Sequence, residues 1–294
     1  MNAPLPIQHL LLALAVVAVW GSNFIVIKLA LAELPPLAFA ALRFLFAALP
    51  AAFLLPRPRV PWRSLAAYGV FLGVGQFALM YLALTRFISP GLASLVAQMQ
   101  IFFTIALAMG LLRERVERLQ WIALAIGASG IGVIAAHTDG DTTPLGLVLT
   151  LGAALGWASA NIVAKRAAPP DMLAFVVWAS AFAVPPLLAL SLGFEGWPAI
   201  RSGLAGASVG AWGAVLFQSW ANMLFGYSAW GWLLARHPVA LISPLSLLVP
   251  VIGMSGSALL LAEPLPVWKL IAAALVLGGL AINVMGPRIR AALA

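Results

Sequence analysis

Cysteine is missing altogether from the 294 residues, and charge is scarce: Asp, Glu, Lys and Arg make up 8% of the chain, against roughly a quarter in a soluble domain. Without cysteine there is no disulfide framework, no thiolate metal site and no thiol nucleophile. Without charge the chain cannot keep most of its surface in water. What is present instead is apolar: 64% of the residues are hydrophobic and the mean hydropathy is +1.07. They come in blocks of about twenty separated by short polar breaks, the length that crosses a bilayer core as helix. A single all-α membrane domain with the lipid bilayer as its solvent is expected. The net charge of +8 would suggest nucleic acid only if the basic residues formed a patch interleaved with aromatics, and they sit in the breaks instead. No nucleic-acid partner is expected.

Blocks of spanning length run over about 10–31, 36–55, 64–85, 90–111, 119–136, 145–166, 171–192, 207–233, 238–261 and 266–285. Prolines punctuate the breaks, at Pro35-Pro36, Pro56, Pro58, Pro90, Pro144, Pro169-Pro170, Pro238 and Pro264, where a first helical turn tolerates them. Ala30-Leu31-Ala32 imitates a signal-peptide cleavage site, but residues 1–9 hold no Lys or Arg and the first block is too long for one. The breaks after even-numbered spans, with the C-terminus, hold eleven basic residues: Arg57, Arg59, Arg63, Arg113, Arg115, Arg118, Lys165, Arg166, Arg236, Arg288 and Arg290. The breaks after odd-numbered spans hold four: Lys28, Arg86, Arg201 and Lys269. By the positive-inside rule both termini are expected in the cytoplasm. Trp62, Trp121, Trp197 and Trp268 fall near span ends, as interfacial aromatics do.

The chain repeats itself. Trp20, Ser22, Val26 and Lys28 recur as Trp157, Ser159, Val163 and Lys165 at a shift of 137, and Ser94, Glu114 and Gly130 as Ser243, Glu263 and Gly279 at a shift of 149. Residues 1–143 and 144–294 are therefore expected to be two five-helix repeats. Five is odd, so the second copy enters the membrane from the opposite side, the inverted arrangement that transporters use for alternating access. A duplicated structural scaffold is the alternative.

Four runs carry a family resemblance: Trp20-Gly21-Ser22-Asn23-Phe24; Pro35-Pro36-Leu37 with Leu42-Arg43-Phe44; Gly91 through Gln98; and Pro244 through Pro250. They resemble the EamA branch of the drug/metabolite transporter superfamily over nearly the whole chain. The resemblance is nearest to bacterial O-acetylserine/cysteine exporters and less near to aromatic-amino-acid exporters. It implies a secondary transporter that exports amino acids or related small zwitterions across the bacterial inner membrane through a central cavity. A proton-coupled drug or metabolite carrier and a membrane-embedded enzyme are the other classes to weigh. Arg113, where the family pattern has Gly before Glu114, and Pro264, where it has Arg after Glu263, are departures at helix ends.

No phosphate-binding loop and no dense metal-ligand spacing occur, so neither a cofactor nor a metal is expected. His9, His137 and His237 fall at span edges or outside, where solvation is the simple reading. Paired carboxylates or a nucleophile with its base, which an enzyme would need, are not legible.

Polar residues inside the spans each need a partner or a wet cavity. Trp20, Phe24 and Lys28 lie on one helical face, as do Trp157, Asn161 and Lys165. With Asn23 beside them, these residues are candidates for the wall of a solute site, the lysines at its rim; the other reading has the tryptophans packed as core and the lysines snorkelling to headgroups. Gln76 and Tyr81 in the third span, Ser94 and Gln98 in the fourth, and Ser243 and Ser246 in the ninth complete the candidate binding set, with interhelical hydrogen bonding as the alternative. Gln100 and Thr104 fall on another face of the fourth span. Gly69/Gly73, Gly152/Gly156 and Gly206/Gly210 have the spacing of close helix contacts.

Arg43 lies about 10 Å into the second span, where it either snorkels outward or serves a structural or gating role. Every Asp and Glu falls at a span end or in a break. A cation/proton antiporter would need a buried carboxylate, and a sugar-phosphate carrier several cavity cations, so a zwitterionic solute fits better. Finally, Pro244 and Pro250 deprive the Ala240 and Ser246 carbonyls of helical donors, which predicts a kink in the ninth span that serves as a gating hinge or as a static bend. Leu95 and Ile101 stand opposite these prolines in the fourth span, so the two are expected to bend unequally.

Overall fold

A computed structural model describes residues 5–49, 51–113, 118–137, 142–237 and 239–293, with side chains over the same ranges apart from 239–240 and 285–293. Glu114, Arg115, Glu117, Asp139, Asp141 and Pro238, and the side chains of Arg288 and Arg290, lie outside the described residues.

The apolar blocks become helices. They are α1 (Ile7–Ala30), α2 (Pro36–Ala48, continued by Ala51–Leu54), α3 (Trp62–Arg86), α4 (Pro90–Leu112), α5 (Arg118–Ala136), α6 (Pro144–Ala167), α7 (Met172–Phe194), α8 (Val209–Arg236), α9 (Ser243–Leu260) and α10 (Val267–Leu293). Among the described residues nine helices are long and apolar enough to cross a membrane. α8 and the short helix Gly196–Gly206, bent by 103° to one another, pass the same test only together and bring the number to ten if they form one span. α8 is the least apolar because Gln218, Ser219 and Asn222 lie within it. Pro36, Pro90 and Pro144 open α2, α4 and α6 at the first helical position, where a missing N–H costs nothing.

Packing follows an exchange of each helix with the one five places on. α2 packs on α7, α5 on α10 and α4 on α9; α1 packs on α9 as α6 does on α4; α3 packs on α6 as α8 does on α1; and α3 lies on α7 as α8 lies on α2. Small residues let these backbones close. A Cβ on Gly69 would collide with the Ala179 carbonyl, and one on Gly156 with the backbone of Gly75. Gly73 and Gly152 sit against Ala183 and Leu79. The Gly206/Gly210 pair does not make the expected contact: Gly206 faces open space and Gly210 meets only the hydroxyl of Ser208.

Among the described residues, two pairs of helices depart from regular α-geometry in corresponding places. α3 is wound as π-helix over Phe71–Ala78 and α8 over Phe217–Phe225. α4 breaks between Val96 and Met99, and α9 opens with a 3-10 segment, Ser243–Leu247, before running as α-helix from Leu248. Both helices that stand opposite one another in the repeat are thus irregular, α4 through a two-residue turn and α9 through a 3-10 segment. Pro244 opens the 3-10 segment. Pro250 falls in the first turn of the helix that follows, where its absent N–H is no loss.

Candidate functional site

Between the two sets of five helices lies a cavity of ≈ 580 Å³, inside the range of about 300–1,000 Å³ usual for small-molecule sites. Its polar wall comes mainly from the irregular segments. The π-helical stretches present Gln76 and Asn222, the break in α4 presents Gln98 and Gln100, and the 3-10 turn of α9 presents Ser243 and Ser246. Helical irregularity frees backbone groups and turns side chains off the regular face, which the membrane tolerates only against protein or a wet cavity. α1 and α6 are regular and add Trp20, Asn23 and Phe24 on one side, Trp157 and Asn161 on the other.

Of the candidate binding residues, Trp20, Asn23, Gln76, Gln98, Trp157, Asn161, Ser243 and Ser246 line this cavity. Lys28, Tyr81, Ser94 and Lys165 do not. Lys28 Nζ donates to the Leu84 and Thr85 carbonyls at 2.9 and 2.8 Å, a cation on the C-terminal end of α3. Lys165 is exposed in the last turn of α6. Ser94 donates to the Gly91 carbonyl and packs against Gly253, closing α4 on α9. Tyr81 stands one layer behind the wall, its ring against Phe39 and its hydroxyl accepting from Arg43 at 3.4 Å.

Arg43 does not snorkel. Its side chain is fully buried, donating to Gln218 Oε1 at 2.7 Å and Asn222 Oδ1 at 2.8 Å, with the guanidinium 3.5 Å from the centre of the Phe77 ring. Cation–π contact of this kind strengthens where water is excluded. On the wall, Asn161 Nδ2 donates to Gln100 Oε1 at 3.0 Å, joining α6 to α4. Asn23 Oδ1 and Gln76 Oε1 are buried without a protein donor.

Asn222, Tyr227, Trp230 and Gln100 line the cavity although none was a candidate. Continuous helical periodicity puts Gln100 on a different face of α4 from Gln98; the break at Ala97–Gln98 resets the period, and both glutamines line the cavity. For α8 there was a signal, two amides at i and i+4, Gln218 and Asn222, inside an apolar block.

The cavity is open at one end of the bundle. Its walls reach Met172 at the start of α7, Leu234 near the end of α8 and Ser243 at the start of α9, all on the face where α1 begins. Toward the opposite face they stop at Phe24 in α1 and Met80 in α3. Carboxylates from one helix end cap another helix there. Glu195 accepts from the Leu37 and Ala38 N–H groups opening α2, Glu33 from the N–H and hydroxyl of Ser208 opening α8, and Glu263 from Ser89 and the Gly91 N–H opening α4. The Ser208 backbone N–H, and then its hydroxyl, hold the Glu33 carboxyl below the usual carboxylate range. Lys269 completes the third clasp, 3.0 Å from Glu263 Oε1 and buried with it.

His9 Nδ1 and His237 Nε2 lie 2.7 Å apart, and the His137 ring stacks on Trp268. Among the described residues no group of His, Asp or Glu could hold a metal ion.

A family model described as the EamA-like transporter family matches residues 8–136 and again 144–285. A Salmonella typhimurium protein named "Probable amino-acid metabolite efflux pump" is 41% identical over 285 residues, covering 95% of both chains. An Escherichia coli protein of the same name is 38% identical over 287 residues, covering 96% of both. A solved crystal structure with 20% sequence identity superposes with a TM-score of 0.62 over 96% of this chain and 98% of that one, a likeness of fold.

Proposed function

Because the chain belongs to the EamA-like transporter family, we propose that it exports amino acids or related small zwitterions across a bacterial inner membrane by alternating access through the central cavity. The observation that carries this reading is the composition of the wall: amides and tryptophans from both halves and two serines from the second, with no carboxylate or lysine among the described lining residues. A net-neutral solute with polar ends and a modest side chain suits such a wall. The efflux-pump names of the two enteric relatives favour amino-acid metabolites over other neutral solutes.

In this reading residues 1–143 and 144–294 act as the two repeats that rock about the site. The cavity-lining candidates contact the solute; Lys28, Tyr81, Ser94 and Lys165 support the frame around it. Arg43 and the Pro244 segment belong to the moving parts. Both termini are cytoplasmic by the charge of the loops, so the cavity opens to the cytoplasm in this conformation. The protein is a carrier and not an enzyme.

Purified protein in liposomes, offered a panel of labelled amino acids, tests the proposal. Exchange of at least one of them is expected, and without an imposed proton gradient, since among the described residues no carboxylate lines the cavity. A strict requirement for that gradient would favour the proton-coupled drug or metabolite carrier. Conversion of a substrate without its movement would establish an enzyme.

A further inference from the structure

The polar groups around this cavity are not evenly distributed between donors and acceptors. Arg43 is a buried cation whose hydrogen-bond partners are neutral: the side-chain oxygens of Gln218, Asn222 and Tyr81. Among the described residues no carboxylate pairs with it. The guanidinium is buried among neutral amides and aromatic rings. Asn222 stands between this charge and the cavity. Its side-chain oxygen is taken by Arg43, and its backbone carbonyl accepts the Trp20 indole N–H at 3.1 Å. The end of the amide left for the cavity is therefore the NH2 group, a donor with a positive charge behind it.

Beside it the wall has the opposite character. Asn23 and Gln76 line the same cavity, each 6% exposed, and their side-chain oxygens are buried with no protein donor. Buried acceptors of this kind are uncommon and call for a donor. Gln218 links the two regions, accepting from Arg43 and donating to the Asn23 backbone carbonyl at 3.4 Å, while Gln76 precedes the Phe77 ring on which Arg43 rests.

We propose that the cavity reads the two ends of an amino acid separately: the Asn23 and Gln76 side-chain oxygens take the α-ammonium group, and the Asn222 amide, with Arg43 behind it, takes the α-carboxylate. An ammonium has three donors and no acceptor; a carboxylate has acceptors only. Arg43 is a positioning residue, acting through Asn222. The assignment rests on the amino-acid reading above.

The test is exchange in proteoliposomes preloaded with radiolabelled neutral amino acids. Each is challenged from outside with the same amino acid, its primary amide or its N-acetyl derivative. Wild type is expected to accept the amide and the N-acetyl form about 10- to 100-fold less well than the parent. In Asn222→Asp the new carboxylate pairs with Arg43, and the preference should reverse toward the amide while the N-acetyl form stays excluded. Gln76→Leu should cut the rejection of the N-acetyl form by about tenfold and leave acid over amide unchanged. Arg43→Gln should lose the preference for acid over amide, and Arg43→Lys should recover part of it. Each ratio is read within one variant, so a lower folded yield does not alter it. If wild type carries none of the panel, the functional reading falls and this assignment with it. If wild type carries them while Asn222→Asp and Gln76→Leu keep wild-type ratios, the assignment alone is overturned.

Discussion

Two wall amides that look alike in the sequence have different surroundings, and their removal should read differently. Gln98 makes no side-chain hydrogen bond among the described residues, whereas Asn161 donates to Gln100 and reaches Thr104 at 3.4 Å. Gln98→Leu should therefore impair exchange with folded yield intact. Asn161→Leu should impair it too, but also lose about 1 kcal/mol of stability by stranding Gln100. Exchange and detergent melting of both variants check this, and wild-type exchange by both would remove them from the site. Residues of this kind were legible because an amide in an apolar block has little reason to be there without a cavity or a partner. Arg43 was legible as an anomaly but not in its direction, since snorkelling and burial cost the same number of residues in the sequence and only the partners Gln218 and Asn222, 175 and 179 positions away, decide between them.

At the scale of elements, hydropathy and proline punctuation located the ten blocks because lipid forces backbone hydrogen bonds to close within each helix. The same constraint hides irregularity. Pro185 and Pro186 lie inside α7, which continues through them, while α4 breaks at Ala97–Gln98 with no proline within the break. Proline content therefore predicts poorly where a membrane helix breaks, because neighbouring helices re-satisfy or disrupt backbone groups irrespective of it. The irregular segments of α4 and α9, the second of which contains Pro244, are the candidate hinges. Pro250 sits in a first helical turn that needs no N–H from it, so Pro250→Ala should exchange at close to the wild-type rate, with unchanged side-specific labelling of cysteines introduced in the cavity. Slowed exchange with altered labelling would restore the proline hinge.

For the whole molecule, the clasps lie on the face that the cavity walls do not reach. Glu33, Glu195, Glu263 and Lys28 all join helix ends on the face away from the termini, and the cavity walls end short of that face. Alternating access requires such contacts to part when the opposite side closes. The Glu263–Lys269 pair is the most deeply buried of them, 3.0 Å apart with side chains 6% and 1% exposed, and it ties the α9–α10 turn to the start of α4 through Ser89 and Gly91. Breaking one partner of a buried pair costs about 3–5 kcal/mol because the other charge is left unpaired. The chain has no cysteine, so Met80→Cys, on the cavity wall toward the closed face, supplies a unique thiol. In that background a membrane-impermeant maleimide should label only from the side that bears the termini, the cytoplasm in the proposed orientation. Adding Glu263→Gln should expose the thiol to the outside, by weakening the closed face relative to the open one. The double change Glu263→Gln with Lys269→Met separates a latch from general destabilisation. It removes the unpaired charge and so recovers stability, but it does not rebuild the clasp, and outside labelling should persist. If the double variant returns to labelling from the cytoplasm alone, the pair stabilises the fold without holding the gate.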